Sequence, residues 1–137
     1  MAVDDNVAAA KAGYAAFAKG DAAGAMKDMA DDIEWVVRGE SAVSGTKRGK
    51  EELGAYWGQL AEKKTVTTPS RFLGDGNTVV VLTDIEIGGA RTSAVDVLEY
   101  DEAGKLIRFE AFGGEAIAQA GVRLTGGAPE RGGAPLR

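Results

Sequence analysis

Three carboxylates stand inside segments that otherwise read as β-strands. Asp84 lies in Val79-Val80-Val81-Leu82-Thr83-Asp84-Ile85, Asp96 in Ala94-Val95-Asp96-Val97-Leu98, and Glu110 in Leu106-Ile107-Arg108-Phe109-Glu110-Ala111-Phe112. A strand turns successive side chains to opposite faces, so each acid points either to solvent or into the interior, where ionisation is costly and the pKa moves. The chain has no His and no Cys. Proton transfer near neutral pH therefore falls to carboxylates of raised pKa, to Tyr or to Lys. The absence of Cys also removes disulfides, thiolate chemistry and zinc sites of the Cys/His type. Nothing in the pattern calls for a cofactor or a metal, although ligation by oxygen alone stays open.

The direction of each acid depends on strand register. An inward Asp84 brings Leu82 with it, whereas the reverse alternation buries Ile85 and Ile87. An inward Asp96 shares its face with Leu98 and Tyr100. Glu110 with Arg108 forms either part of a site or a two-residue-spaced ion pair that braces the sheet. Trp35, Tyr56, Trp57 and Phe112 are candidate walls of an apolar pocket or plain core. Tyr14 sits on the apolar side of its segment, as a catalytic phenol or as a buried Tyr bonded internally. Lys47-Arg48-Gly49-Lys50 reads as a solvated loop at a helix start rather than a phosphate site.

The elements that must position these groups follow from periodicity. Val7, Ala10, Tyr14 and Phe17 recur at helical spacing, with Asp4, Asp5 or Asn6 as N-cap and Gly20 just past the end. Asp21 caps a second, short helix that carries Met26 and Met29 and stops near Asp31-Asp32, before a strand over 33–37. The Gly-, Ser- and Arg-containing stretch 38–49 reads as a loop. Leu53, Tyr56, Trp57 and Leu60 predict a third helix over 50–63. From Thr65 the period becomes two, and turn signals at Gly74-Asp75-Gly76-Asn77, Gly88-Gly89 and Asp101-Glu102-Ala103-Gly104 divide four strands into successive hairpins. Pro69 puts the first of these at an edge or at a bulge. A short helix over 116–122 closes a single domain of residues 1–122. The tail 123–137, in which Gly-Gly-Ala-Pro occurs twice, is too poor in large apolar groups to offset its ordering entropy and is expected to be flexible.

Composition narrows the partners. The 137 residues are 45% hydrophobic with a net charge of −5, enough to bury a core and wrong in sign for nucleic acid or an anionic membrane surface. No basic and apolar blocks of a signal peptide open the chain, and no run approaches the ~20 apolar residues of a membrane span, so a cytoplasmic location is expected. Helices followed by an antiparallel meander give an α+β class. In it, three N-terminal helices pack on a strongly curved, mainly antiparallel sheet and leave a cone-shaped hollow.

Four segments carry a family resemblance: Tyr14-Ala15-Ala16-Phe17-Ala18-Lys19-Gly20-Asp21, Met29-Ala30-Asp31-Asp32-Ile33-Glu34-Trp35, Arg48-Gly49-Lys50-Glu51-Glu52-Leu53, and the run from Val97-Leu98-Glu99-Tyr100 to Leu106-Ile107-Arg108-Phe109. Over roughly residues 5–120 the chain resembles the nuclear transport factor 2-like superfamily, in the SnoaL-like branch with ketosteroid isomerases, polyketide cyclases and limonene-epoxide hydrolases. The resemblance implies that Asp96 occupies the place of the isomerases' oxyanion-hole acid and Tyr14 that of their helix-one Tyr, while Val37 stands where their general base would be. Against the epoxide hydrolases, Leu82-Thr83-Asp84 lacks an Arg, and Glu110 takes the place of the final acid. The family register would turn Arg108, Glu110 and Phe112 inward, with Arg108 supplying the missing cation.

Two classes of function follow. In the first, an apolar cone binds a small, largely hydrophobic molecule and Asp96, Asp84 and Glu110 act on it as acids and bases, assisted by Tyr14 or Arg108, inside walls of Trp35, Val37, Tyr56, Trp57, Leu82, Leu98, Tyr100 and Phe112. In the second, the cavity only binds, or the sheet face carrying Val95 and Val97 packs against a copy of the chain in a homodimer.

Overall fold

The chain begins as a helix because Asp4 and Asp5 occupy its first turn, where carboxylates favour the positive end of the helix dipole. This helix, α1 (Val3–Ala18), gives way at Gly20, whose φ of 77° is open to glycine at little cost. The computed structural model describes residues 3–39 and 44–113; the expected helix over 116–122 and the tail 123–137 lie outside them.

Asp21 accepts a hydrogen bond from the Gly24 amide at 2.9 Å and starts α2 (Ala22–Met26). This helix is shorter than its sequence implies. It stops at Met26, and β1 (Met29–Val37) takes over four residues ahead of the expected strand start at Ile33. The Leu106 amide donates to the Asp28 carbonyl at 2.8 Å and Met29 pairs with Leu106, so the strand is anchored at its start, and the exposed Asp31 and Asp32 fall in the register irregularity between Met29 and Glu34. The stretch read as a loop contains β2 (Gly45–Arg48), an edge strand antiparallel to β1 from Glu34↔Arg48 to Val37↔Gly45. The third helix, α3 (Gly49–Glu62), buries Leu53, Tyr56 and Trp57 as expected.

The meander is as the turn signals divide it: β3 (Val66–Asp75), β4 (Thr78–Ile87), β5 (Ala90–Tyr100) and β6 (Leu106–Phe112). The strand order is β2-β1-β6-β5-β4-β3, with β1 and β6 parallel and the other neighbours antiparallel. The class is α+β with a mainly antiparallel sheet. Pro69 falls where the β3–β4 register shifts, on a strand that is also the sheet edge, so it costs no ladder hydrogen bond in the sheet interior.

One face of the sheet packs on the helices. Ile33, Leu53, Val79 and Val81 are fully buried there. Close approach of α1 to β3 depends on Gly74, where a Cβ would come within 2.6 Å of Val3 and 2.8 Å of Val7. Among the described residues no helix is long and apolar enough to cross a membrane.

Candidate functional site

A chamber of about 130 Å³ lies between the helices and the concave sheet face. Its walls are aromatic. Phe17 meets Trp57 edge-on at 5.0 Å, Trp57 meets Trp35 edge-on at 5.7 Å, and Trp35 stacks on Phe109 with planes 5° apart. Such edge and stacked contacts fix the rings against each other. Leu98 and Tyr100 of β5, Tyr56 of α3 and Ile85 of β4 complete much of the lining.

Asp96 is the one acid of the expected three that points into this space, and it is 4% exposed. Its strand puts Ala94, Asp96, Leu98 and Tyr100 on the buried face, the alternation anticipated from the sequence. The Tyr14 hydroxyl, reaching across from α1, donates to Asp96 Oδ2. Burial pushes the Asp96 carboxyl up to about 6, against the Tyr14 hydrogen bond, which favours the ionised form and holds it down. The phenols respond in turn. Burial and the Asp96 charge push Tyr14 and Tyr56 well above the usual range, and burial with the Asp28 charge does the same to Tyr100. All three remain neutral hydrogen-bonding groups at ordinary pH.

The other two acids stand on the opposite face of the sheet. On β4 the buried set is Val79, Val81 and Thr83 with Ile85 half-buried, so Asp84 and Leu82 turn outward, and Asp84 is exposed, accepting from Ser93 Oγ at 3.1 Å. The alternation without charges wins the core, because burying Asp84 in exchange for Ile85 would desolvate a carboxylate and expose a large apolar group. On β6 a bulge opposite Tyr100 lets Leu106 and Phe109 both face the core, and from Phe109 the inward residue is Ala111. Arg108, Glu110 and Phe112 therefore point outward, contrary to the family register expected of them. Val37 is buried in the core but does not line the chamber.

On that outer face Glu110 is clamped by two guanidiniums, Arg38 and Arg108, the latter at 2.8 Å. Arg108 also reaches Glu34 at 3.0 Å, and Glu34 binds Arg48 at 2.8 Å. Desolvation would raise the Glu110 pKa, but hydrogen bonds and charge from Arg38 and Arg108 outweigh it and hold the carboxyl below its ordinary value. Arg38 continues over the Phe112 ring at 5.3 Å. This is the bracing reading of Arg108 and Glu110. Among the described residues no group of three or more Asp or Glu is arranged to hold a metal ion.

Residues 10–109 match the SnoaL-like domain. The chain belongs to that family. Solved structures agree with the assignment. A nuclear transport factor 2-like protein of Burkholderia xenovorans is 25% identical over 86% of this chain and 98% of its own, with a TM-score of 0.70. TerC, crystallised with polyporic acid, is 25% identical over 85% of this chain and 97% of its own, also at 0.70. A nuclear transport factor 2-like protein from Burkholderia pseudomallei, 22% identical over 88% and 98% of the two chains, reaches 0.74 and bears on the fold alone. No curated protein matches the sequence.

The SnoaL-like chamber also has lining that the sequence reading passed over. Phe109 and Ile85 were visible as members of the uncharged alternations of β6 and β4, and a stricter use of that pattern finds them. Phe17 was seen as a helix-face residue only. Asp28, an exposed carboxylate among the lining residues, follows the end of α2 at Met26, and no pattern in the sequence marks it.

Proposed function

We propose that the chamber binds a small, largely apolar molecule and that Asp96, paired with Tyr14, transfers a proton to or from its polar group. The observation that carries this reading is a buried carboxyl displaced to about 6 within an aromatic chamber. Such a group exchanges protons near neutral pH without needing a His. Tyr14 orients the carboxyl and stays neutral itself. TerC, co-crystallised with polyporic acid, supports a small organic molecule as the ligand class. The reaction would be of the isomerase, cyclase or hydrolase type, with Asp96 as acid and base in turn.

A second reading, binding without turnover, is favoured by one specific observation: Asp84 and Glu110 stand outside, so the chamber interior holds a single buried acid. The two readings separate on a panel of hydrophobic carbonyl compounds and epoxides. Product formation with melting-temperature shifts supports catalysis; shifts without product support binding alone.

For assembly, we propose a homodimer through the outer sheet face. Leu73, Val95 and Phe112 are 43%, 37% and 40% exposed, and cross-strand pairs Leu73↔Val80, Leu82↔Val95 and Val95↔Phe112 join them into one apolar band. Beside it lie both signs of charge, Glu34 and Glu110 with Arg38, Arg48 and Arg108, which a two-fold copy can match. Sedimentation that shows a 14.1 kDa monomer at every concentration would contradict it.

A further inference from the structure

The chamber is electrostatically one-sided. Asp96 lies within it and the exposed Asp28 is also among its lining, yet among the described residues that line it there is no Lys or Arg, and the chain has no His. The sheet separates three arginines from the cavity. Arg38, Arg48 and Arg108 are on the far face, engaged with Glu34 and Glu110. Lys47 and Lys11 sit over the rings of Tyr56 at 5.1 Å and Phe72 at 5.6 Å, and neither lines the chamber. Tyr14 satisfies Asp96 Oδ2, while Oδ1 has no hydrogen-bond partner among the described residues. An ionised carboxyl with a free oxygen, enclosed by aromatic rings, has no counter-ion among the described residues that line the chamber. Ring faces attract cations through their quadrupole, so the same walls that repel water favour a positive group.

We propose that the chamber selects a cationic amine carried on an apolar body, its ammonium donating to Asp96 Oδ1 against the faces of the surrounding rings. Asp28 in the lining adds attraction for the same charge, weakened by its exposure to water. Carboxylates and phosphates are disfavoured, since among the described lining residues they would meet two acids and no cation. The inference rests on the reading that the chamber binds small apolar molecules, and it names their chemical class.

Three molecules of one shape test it: 2-phenylethylamine, 2-phenylethanol and phenylacetate, titrated into the full chain by calorimetry at pH 7.5. The amine is expected to bind about tenfold or more tightly than the alcohol, which corresponds to about 1.4 kcal/mol, with phenylacetate the weakest. In Asp96→Asn the amine's advantage over the alcohol should disappear, circular dichroism showing the same fold. If the alcohol equals or exceeds the amine in the wild type, or phenylacetate binds best, amine selection is wrong although the chamber still binds. An advantage that survives in Asp96→Asn overturns the placement of the ammonium. If none of the three binds, the binding reading itself fails and takes the inference with it.

Discussion

Asp96 and Glu110 belong to neighbouring strands, Asp96 opposite Ala111 and Glu110 opposite Val97, and they face opposite sides of the same sheet. The concave side gives Asp96 a phenol and aromatic walls, and its carboxyl rises to about 6. The convex side gives Glu110 two guanidiniums, and its carboxyl falls below the ordinary value. Both side chains are hidden from solvent, yet burial dominates one and charge pairing the other. One residue of register thus decides whether a strand carboxylate is a proton-exchanging group or a brace.

The variant Asp96→Asn should break the comparison most sharply. Turnover of any converted ligand should fall on the order of 10²-fold or more. Stability should move the other way. The folded carboxyl is raised from 3.8 to about 6, so a favourable contribution present below pH 4 is lost as pH rises through about 6. The full displacement corresponds to about 3 kcal/mol, and Asn escapes it. Urea unfolding should therefore show the variant more stable than wild type at pH 8 by up to about 3 kcal/mol, with little difference at pH 4. A difference independent of pH would mean that Asp96 is not a raised acid.

Glu110→Gln probes the other face. Its lowered pKa means that its stabilisation is present above the unfolded carboxyl's pKa and is lost as pH falls through the folded value. Glu110 is shielded by arginines that themselves reach solvent rather than sunk in the core, so the loss at pH 7 should be about 1–2 kcal/mol, between an exposed and a buried pair. Ligand affinity and turnover should not change. If they drop with the stability held, the two faces are coupled and the sheet does not insulate the chamber.

Tyr14→Phe sharpens the inner half. The phenol's hydrogen bond is what holds the Asp96 carboxyl down, so its removal should lift that pKa further above about 6. A carboxyl-detected NMR titration reads this directly, and an unchanged or lower value would show that Tyr14 does not stabilise the ionised form.

Much of the architecture was legible because the sequence states it twice, once in periodicity and once in punctuation. The four meander strands have both period-two alternation and glycine turns, α1 has both an apolar stripe and an end signal, and α3 has a clear stripe. β2 has neither. Gly45, Thr46, Lys47 and Arg48 bury little, and their extended form follows from pairing with β1 rather than from any apolar alternation of their own. The start of β1 is hidden for a related reason, since Asp31 and Asp32 are exposed and the strand is anchored there by Met29 pairing with Leu106, a partner far along the chain. Within the site, Asp96 was legible because Ala94, Leu98 and Tyr100 leave its strand one credible apolar face. Arg108, Glu110 and Phe112 were misdirected by a family register that the bulge opposite Tyr100 does not follow; Phe109 and Ala111 make the uncharged face of the same strand.

Asp84→Asn should have the smallest effect, and for that reason it tests the register most cleanly. The side chain is exposed and its described partner is Ser93 Oγ at 3.1 Å, a neighbour that water can replace. Asn keeps the shape and an acceptor oxygen, so stability should change by less than about 0.5 kcal/mol and chamber chemistry not at all. The inward neighbours Thr83 and Ile85 carry the burden on this strand, Thr83 through a buried hydrogen bond to the Ala94 carbonyl at 3.2 Å. A large fall in turnover from so mild a change would require Asp84 to face the ligand. That would shift β4 by one residue, expose Val79 and Val81, and place a second carboxylate beside Asp96. No such rearrangement fits a strand whose buried residues are 0% exposed at both valines.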